Sequence, residues 1–311
     1  MKAFIYQKYG SPEVLELVNL EKPKPKENEI LVRIMATTVT SGDVRLRSSD
    51  FPPVAWLIAR LMFGLFHPKK KILGHELSGI VEAVGEKVTQ YQVGDAILAT
   101  PTLLPSGAYA EYICIPEERK KGVLAHKPQN LNFKEAAALP VGGMTALYLL
   151  KKAGLAKGQK VLVYGASGSV GSFAVQIAGA YEAKVTAVCS QSNSEMMRAL
   201  GAEAVLDYHR EDYSTLGSQF DIVIDAVGKT SKSKASEVLK PGGQFVSVTS
   251  ITKPEQEHLD ELIELAEQGK IRPYIDKVFP FANLPEAHAY VEKGRKRGNV
   301  AIEIANATVS S

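Results

Sequence analysis

Three glycines spaced three residues apart, Gly165, Gly168 and Gly171, are the residues whose spacing most directly indicates a chemistry. A glycine can take a tight turn at the first position and let the backbone approach a phosphate at the second. At the third it lets a helix pack closely on a strand. The free N–H groups and the partial positive charge of a helix N-terminus would then face the anion. The spacing predicts binding of a dinucleotide pyrophosphate.

The elements on either side of these glycines decide between a dinucleotide site and an ordinary α/β turn. Residues 161–164 are a short apolar run, typical of a strand buried on both faces. Apolar residues then recur at spacings of three and four over 170–178, which predicts a helix packed on the sheet. A second strand at 184–190 completes a βαβ unit. The predicted phosphate-binding residues are Gly165, Ala166, Ser167, Gly168, Ser169, Val170 and Gly171.

The end of the second strand indicates which dinucleotide binds. An NAD enzyme places Asp or Glu there, on the ribose 2′-OH. This chain has Cys189 and Ser190 instead, so no carboxylate repels a 2′-phosphate, and the serine hydroxyl can donate a hydrogen bond to it. We predict NADP as the cofactor.

The rest of the chain supplies the elements that must hold such a site. Residues 1–125 read as short strands and turns, which suits a small barrel or sandwich. Residues 126–268 begin with helical segments and then alternate strand and helix, which predicts an α/β fold with a doubly wound parallel sheet. Residues 269–311 read as β again, so we expect this segment to return to the first domain.

Composition excludes several classes of protein. Of the 311 residues, 45% are hydrophobic and 23% are charged, which fits a folded globular protein. A net charge of +3 suits an anionic cofactor and does not indicate nucleic acid as a partner. Cys114 and Cys189 are too few for a disulfide framework. No signal peptide or membrane-spanning stretch is apparent, so we expect a cytoplasmic protein without an integral membrane segment.

Ordered motifs along nearly the whole chain resemble those of the medium-chain dehydrogenase/reductase superfamily, and within it the zinc-free NADPH:quinone oxidoreductase branch. The motifs are MKAFIYQKYGSPEVL at 1–15, EILVRIMATTVTSGDVRLR at 29–47, ILGHELSGIVEAVG at 72–85, GAYAEYICIP at 107–116, AAALPVGGMTALYLL at 136–150, VLVYGASGSVGSFAVQIA at 161–178, LGAEAVLDY at 200–208, LKPGGQFVSV at 239–248 and AHAYVEKGRKRGNVAI at 287–302. The resemblance implies a GroES-like β-barrel catalytic domain, a Rossmann cofactor domain and an active site in the cleft between them.

The resemblance also bears on zinc. His75 and Glu76 match the Gly-His-Glu signature of the zinc alcohol dehydrogenases, but the other ligand positions hold Thr40 and Val141. One imidazole does not make a zinc site, so we expect no metal. Without that Lewis acid, reduction of an electrophilic quinone or carbonyl acceptor is the expected reaction. The alternatives are reduction of the C=C bond of an enone or 2-alkenal, and a non-enzymatic NADPH-binding protein at a membrane surface.

The same resemblance implies roles for individual residues. The predicted catalytic residues are Thr40, Asp43, Arg47 and Thr145, with the arginine steadying a developing anion or simply lying at the surface. Besides the glycine turn, the predicted cofactor-binding residues are Ser190, Asn193, Arg198, Tyr208, Val227, Gly298 and Asn299. Two of these residues have simpler interpretations that need no cofactor: Asn193 as the cap of a helix, and Arg198 as a residue that faces solvent.

Two features depart from the family pattern, and one apolar segment is unusual for a surface loop. Most relatives have a further strand at the position between residues 248 and 253, and that strand often pairs across a dimer; a homodimer here would therefore have a rebuilt edge, or the protein assembles differently. The family's glycine-lysine pair near the C-terminus reads Gly298-Asn299 here. The apolar segment 51–66 exceeds what one short helix can bury on one face. We expect it to cover the substrate side of the cleft and favour bulky apolar acceptors, or else to be a buried packing helix.

Overall fold

The computed structural model describes residues 1–51, 53–253 and 255–304. The strands in chain order are β1 (Lys2–Ile5), β2 (Glu16–Asn19), β3 (Glu29–Thr38), β4 (Leu77–Val84), β5 (Ala96–Ala99), β6 (Tyr112–Pro116), β7 (Leu124–His126), β8 (Lys160–Tyr164), β9 (Lys184–Cys189), β10 (Ala204–Asp207), β11 (Phe220–Asp225), β12 (Leu239–Ser247), β13 (Ile275–Pro280) and β14 (Asn299–Glu303). The helices are α1 (Ser41–Ser48), α2 (Pro53–Phe63), α3 (Phe133–Ala138), α4 (Pro140–Lys152), α5 (Ser169–Ala180), α6 (Ser194–Ala199), α7 (Lys232–Ser236), α8 (Gln256–Glu267) and α9 (Leu284–Glu292).

The chain divides into two compact units. One comprises Met1–Pro140 and the segment from Ile275 onward, and the other is Val141–Tyr274. Both boundaries lie later in the chain than the predicted 125/126 and 268/269. The first does so because α3 packs on β3, β4 and β14 of the first unit.

The first unit is built on a seven-stranded sheet with the order β13-β14-β3-β4-β5-β7, in which β6 also pairs with β3. Its pairs are antiparallel apart from β13 with β14. Long β3 is the common partner, and its Ile30, Val32 and Ile34 are fully buried. Because β14 pairs with β3, the C-terminal segment is part of the first unit.

One strand of this unit is shorter than its sequence pattern predicts. Alternation over 106–116 indicates a single strand, but β6 covers only Tyr112–Pro116. The preceding residues approach β1 instead, through a bridge between Ala110 and Ala3. Tyr109 and Ala110 are buried there without belonging to a strand.

The second unit is a five-stranded sheet with the order β10-β9-β8-β11-β12, and every pair is parallel. The strand order reverses at β8, which pairs with both β9 and β11. In open α/β sheets the ligand crevice lies at the carboxyl ends of the strands at such a point. The predicted doubly wound α/β sheet is confirmed. The edge strand β12 includes Pro241, which is tolerated there because one side of the strand has no ladder of hydrogen bonds to break.

In the described part of the chain, no helix combines the length and the apolar character that crossing a membrane requires.

Candidate active and cofactor sites

The glycine turn between β8 and α5 has the geometry that its sequence predicts. Gly165 has φ +76°, and a Cβ there would lie 2.5 Å from a Val227 methyl carbon. A Cβ on Gly171 would lie 2.4 Å from the Gly165 carbonyl oxygen, so α5 packs directly on the turn. Side chains at either position would separate the helix from the strand.

Gly168 is different, because nothing in the protein crowds it. It is the N-cap of α5 in extended backbone, and the nearest atom to an added Cβ would be 3.6 Å away. The space beside it adjoins the first N–H groups of a twelve-residue helix, which have no partners within the helix. This turn fits a phosphate group that approaches the backbone closely. Ala166 is buried under the turn, whereas Ser167, Ser169 and Val170 are half-buried.

The loop that follows β11 is held in place by a residue that the sequence analysis missed. Asp225 is fully buried, and one of its oxygens accepts hydrogen bonds from the backbone N–H groups of Val227, Gly228 and Lys229 at 3.2, 2.8 and 3.2 Å. The Ser247 hydroxyl donates to its other oxygen at 3.0 Å. This aspartate therefore positions Val227, which stays partly exposed, beside the phosphate turn. An aspartate that ends a buried strand is the signal that could have identified it.

Four predicted cofactor residues lie together at the carboxyl end of β9. The Asn193 amide donates to the Ser190 hydroxyl oxygen at 3.1 Å, and this side chain makes no capping bond to α6. Tyr208 follows β10, and its backbone N–H donates to the Cys189 carbonyl at 3.2 Å. Arg198 is exposed on α6.

One carboxylate does lie near this group. Asp207 pairs with Cys189 in the sheet register, but it is buried and accepts the His209 backbone N–H at 3.1 Å. The hydroxyl of Ser190, rather than a carboxylate, is therefore presented at the end of β9.

In the first unit the charged centre is Asp43, on the first turn of α1. Its side chain is fully buried and accepts hydrogen bonds from the Thr40 backbone and hydroxyl, the Gly74 backbone and the His75 ring at 2.6 to 2.9 Å. Burial opposes its charged form, but these donors and the His75 charge lower the pKa of Asp43 to about 2. Asp43 is thus a carboxylate at neutral pH, held by the loop before β4.

His75 is the partner of that carboxylate, and the sequence analysis gave it no catalytic role. Its Nδ1 lies 2.7 Å from Asp43 Oδ1. Because the carboxylate can only accept, Nδ1 donates, and Nε2 is the ring nitrogen left for other chemistry. Burial disfavours the imidazolium, yet Asp43 outweighs this and raises the pKa of His75, against the opposing charge of Lys70. The side chain is 38% exposed, so solvent can reach it.

Thr40 and Arg47, which were predicted to be catalytic, have structural roles here. The Thr40 hydroxyl accepts the Asp43 N–H and donates to its carboxylate, which forms a capping box at the start of α1. Arg47 is fully buried, where it donates to the Gly10 carbonyl and to Glu292 at 2.8 Å each. The suggestion that this guanidinium steadies a substrate anion is corrected, because it lies in the core and ties α1 to α9.

A second histidine, which is buried, lies near the same carboxylate. His288 on α9 is fully buried, and its Nε2 is 3.1 Å from the Tyr109 hydroxyl, which lies 3.3 Å from the Thr38 carbonyl. Burial lowers the pKa of His288 to about 3, although Asp43 opposes the shift. The ring is neutral at physiological pH.

Two lysines of this unit also have perturbed pKa values. Burial lowers the pKa of Lys70 to about 8 against the pull of Asp43. It lowers the pKa of Lys296 to about 8 against Glu76 and Asp276. Both are candidates for contacts with an anionic or carbonyl oxygen.

The remaining predicted residues lie on separate elements. The Thr145 hydroxyl is half-buried on α4 and donates to the Val141 carbonyl at 2.7 Å. Gly298 has φ +55°, and its carbonyl oxygen accepts a hydrogen bond from Lys296 Nζ at 2.6 Å. Asn299 is buried at the start of β14.

Residues 1–51, 53–253 and 255–304 contain no group of three His, Cys, Asp or Glu side chains arranged to hold a metal ion. His75 and Asp43 bond each other, and Glu76 accepts the Thr38 hydroxyl. Val141 and Thr40 stand at the remaining family ligand positions.

Comparison with known families agrees with this geometry. Residues 26–128 match the alcohol dehydrogenase GroES-like domain, and residues 169–272 and 249–302 match two models described as zinc-binding dehydrogenase. The predicted pairing of a GroES-like domain with a Rossmann domain is confirmed.

Relatives match over nearly the whole chain. The 2-methylene-furan-3-one reductase of Solanum lycopersicum is 34% identical over 97% of this chain and 79% of its own length. The chloroplastic NADPH-dependent alkenal/one oxidoreductase of Arabidopsis thaliana is 31% identical over 97% and 79%. The solved quinone oxidoreductase from Coxiella burnetii is 26% identical, with a TM-score of 0.81 and coverage of 98% and 99%. The chain therefore belongs to the medium-chain dehydrogenase/reductase superfamily, in its zinc-free, quinone oxidoreductase-like branch.

Proposed function

We propose that this protein is an NADPH-dependent reductase that transfers a hydride to a quinone or a similar electrophilic carbonyl acceptor without zinc. The observation that carries the proposal is the glycine turn whose neighbouring strand β9 ends in Cys189 and Ser190 instead of a carboxylate. This arrangement accommodates the 2′-phosphate that distinguishes NADP from NAD. Relatives named as NADPH-dependent or NAD(P)H oxidoreductases support it.

Residues of the second unit hold the cofactor. The N-terminus of α5 and the open backbone at Gly168 receive the pyrophosphate, and Ser190, Asn193 and Tyr208 lie where the adenosine phosphate is expected. Arg198 is an exposed cation on the adjoining helix and can approach the same phosphate. When bound, the nicotinamide supplies a hydride, which is the chemistry of the cofactor itself.

The first unit supplies the proton. Reduction of a quinone or an enone adds a hydride and a proton to the acceptor, so an acid is needed. Asp43 fixes the ring of His75 and raises its pKa, which favours the imidazolium; in that form Nε2 carries a transferable proton, and the exposed edge of the ring allows it to be replaced from water. Thr40 and Gly74 fix the carboxylate in turn.

The C=C bond of an enone or 2-alkenal is the second candidate acceptor. Two of the relatives, by their names, reduce a methylene-furanone and alkenals or alkenones, whereas the bacterial structure is a quinone oxidoreductase. The same cofactor and acid serve both reactions. The non-enzymatic alternative is dropped, because these relatives are oxidoreductases.

A screen of NADPH oxidation across quinones, 2-alkenals and saturated aldehydes tests the proposal. We expect turnover with quinones, with alkenals as the alternative, and little with saturated aldehydes. Turnover restricted to alcohols and NAD would overturn the proposal.

A cytoplasmic location and a homodimer stay proposals. The described residues between β12 and α8 form no additional strand.

A further inference from the structure

The helix α2 has its charged and apolar sides reversed. A surface helix of a globular protein turns apolar residues inward and polar residues to solvent. Here Arg60 is half-buried and Ala59 is buried, whereas apolar side chains project outward. The exposed apolar residues of α2 and the turn after it are Trp56, Leu57, Ile58, Leu61, Met62, Phe63, Leu65 and Phe66. Ile58 and Met62, one helical turn apart, are 65% and 61% exposed, and Phe66 is 78% exposed.

The helix is fixed to the first unit through its polar side. The Arg60 guanidinium lies 4.0 Å from the ring centre of Tyr9 and donates to the Ser49 hydroxyl at 3.2 Å. The Tyr9 hydroxyl donates to the Gly64 carbonyl at 2.9 Å, at the end of the helix. These contacts anchor the helix, so its outward face is a folded surface. The alternative that this segment is a buried packing helix is corrected, because its apolar side chains are exposed.

The charge around this face selects one kind of partner. Between Asp50 and Glu76 the sequence contains no Asp or Glu, but it contains Arg60 and three consecutive lysines, 69–71. Lys70 turns inward and donates to the Pro101 carbonyl at 3.3 Å, while Lys69 and Lys71 are exposed.

A depression lies among these cations. Lys8, His67 and Lys71 line it together with one carboxylate, Glu16. Exposed apolar side chains flanked by lysines match an interface between lipid chains and anionic headgroups.

From these observations we propose that α2 and the turn after it, residues 56–66, dock this protein in plane onto an anionic phospholipid bilayer, with Lys8 and Lys71 at the headgroups. Eleven residues give a helix of about 16 Å, roughly half of the ~30 Å hydrocarbon core, so α2 lies along the surface instead of crossing it. The inference is independent of the acceptor and the cofactor.

The single tryptophan of the chain, Trp56, lies on this helix and reports on it directly. Full-length protein is mixed with vesicles of phosphatidylcholine alone or of phosphatidylcholine with phosphatidylglycerol. We expect a blue shift of the Trp56 emission, quenching by brominated lipid and co-sedimentation with the anionic vesicles, all weakened by salt.

Paired variants separate the two contributions. Ile58→Gln with Met62→Gln should abolish the emission shift, whereas the matched exposed pair Val93→Gln with Ile251→Gln should retain it. Lys8→Gln with Lys71→Gln should weaken binding about thirtyfold, since each lysine near the surface contributes a factor of about five. The control pair Lys24→Gln with Lys152→Gln should leave the affinity unchanged.

Three results would overturn the proposal. One is the absence of any emission shift with anionic vesicles. Another is an emission shift that depends on protein concentration without lipid and disappears in the Ile58/Met62 variant, which would make this face a contact between two copies. The third is unchanged lipid affinity of that variant with a raised KM for a long apolar quinone, which would assign the helix to acceptor binding.

Discussion

The Nδ1 of His75 donates a hydrogen bond to Oδ1 of Asp43 across 2.7 Å, and this buried carboxylate raises the pKa of the partly exposed imidazole against the opposing effect of burial. A fixed carboxylate behind a histidine keeps one proton on Nδ1 and favours the imidazolium, in which Nε2 carries the proton that can be transferred. The zinc enzymes of the family use their histidine at this position as a metal ligand. Here the same residue bonds Asp43 through Nδ1.

Replacing His75 with Asn should lower kcat by a factor of about 10² to 10⁴, the usual contribution of a general acid, with little change in KM for NADPH. In the parent, kcat should fall as the pH rises through the pKa of His75, which lies above its ordinary value. Steady-state rates against pH measure both effects. His126→Asn, at an exposed histidine, is the control.

The variant Asp43→Asn extends this test. Without the carboxylate the pKa of His75 should fall, and the alkaline limit of activity should move to lower pH. Because Asp43 also caps α1, the melting temperature is recorded in parallel. An alkaline limit that is identical in the parent and in folded Asp43→Asn would rule out His75 as the acid.

Ser190→Asp should change the cofactor preference. The new carboxylate would repel the 2′-phosphate of NADPH and accept the ribose 2′-OH of NADH. A charge-assisted contact is worth roughly 1.5–3 kcal/mol, so the ratio of kcat/KM for the two cofactors should fall at least tenfold. Ser233→Asp, at an exposed serine on α7, controls for added charge. Equal kcat/KM values for NADPH and NADH in the parent would refute the assignment of Ser190.

Arg47→Met should destabilise the fold without impairing catalysis. The buried guanidinium satisfies the Gly10 carbonyl and pairs with Glu292, and loss of these bonds should lower the free energy of unfolding by about 2–3 kcal/mol. Chemical denaturation measures it, with the exposed Arg45→Met on the same helix as the control. If kcat dropped while stability stayed that of the parent, Arg47 would regain a role at the substrate.

His288 should make the protein sensitive to acid. Its folded pKa of about 3 lies below the ordinary value of 6.5, so the unfolded state binds an extra proton between these values. Stability from this residue is complete above pH 6.5 and is lost on acidification by about 1.4 kcal/mol per pH unit. The variant His288→Gln, which can keep the bond to Tyr109, should flatten this dependence. Denaturation at several pH values above about 4.5 separates the contribution of His288 from that of Asp43. If the slope of the unfolding free energy against pH were unchanged in the variant, His288 would not be the group that causes the acid sensitivity.

The sequence allowed the second unit to be predicted in most respects, because each βαβ step has a local signature. Glycine spacing, a buried strand and an apolar stripe specify the turn at 165–171 without reference to distant residues. Ser190 and Tyr208 could be placed together because parallel strands end at the same edge.

The first unit was harder to predict, because its site depends on contacts between distant residues. Asp43, His75 and His288 come from different parts of the chain, and no spacing rule joins them. Arg47 could not be distinguished from a surface arginine until α9 was placed beside α1. The reversed orientation of α2 was also hidden, since an apolar run does not show which side faces solvent.

Zinc-independent reduction with NADPH can be checked by steady-state kinetics on protein that has been treated with a chelator and analysed for metal. With a quinone acceptor, and separately with a 2-alkenal, we predict full activity at less than stoichiometric zinc and a kcat/KM for NADPH at least tenfold above that for NADH. Activity that requires one zinc per chain, or that prefers NADH, would show that the reaction is not a zinc-independent reduction with NADPH.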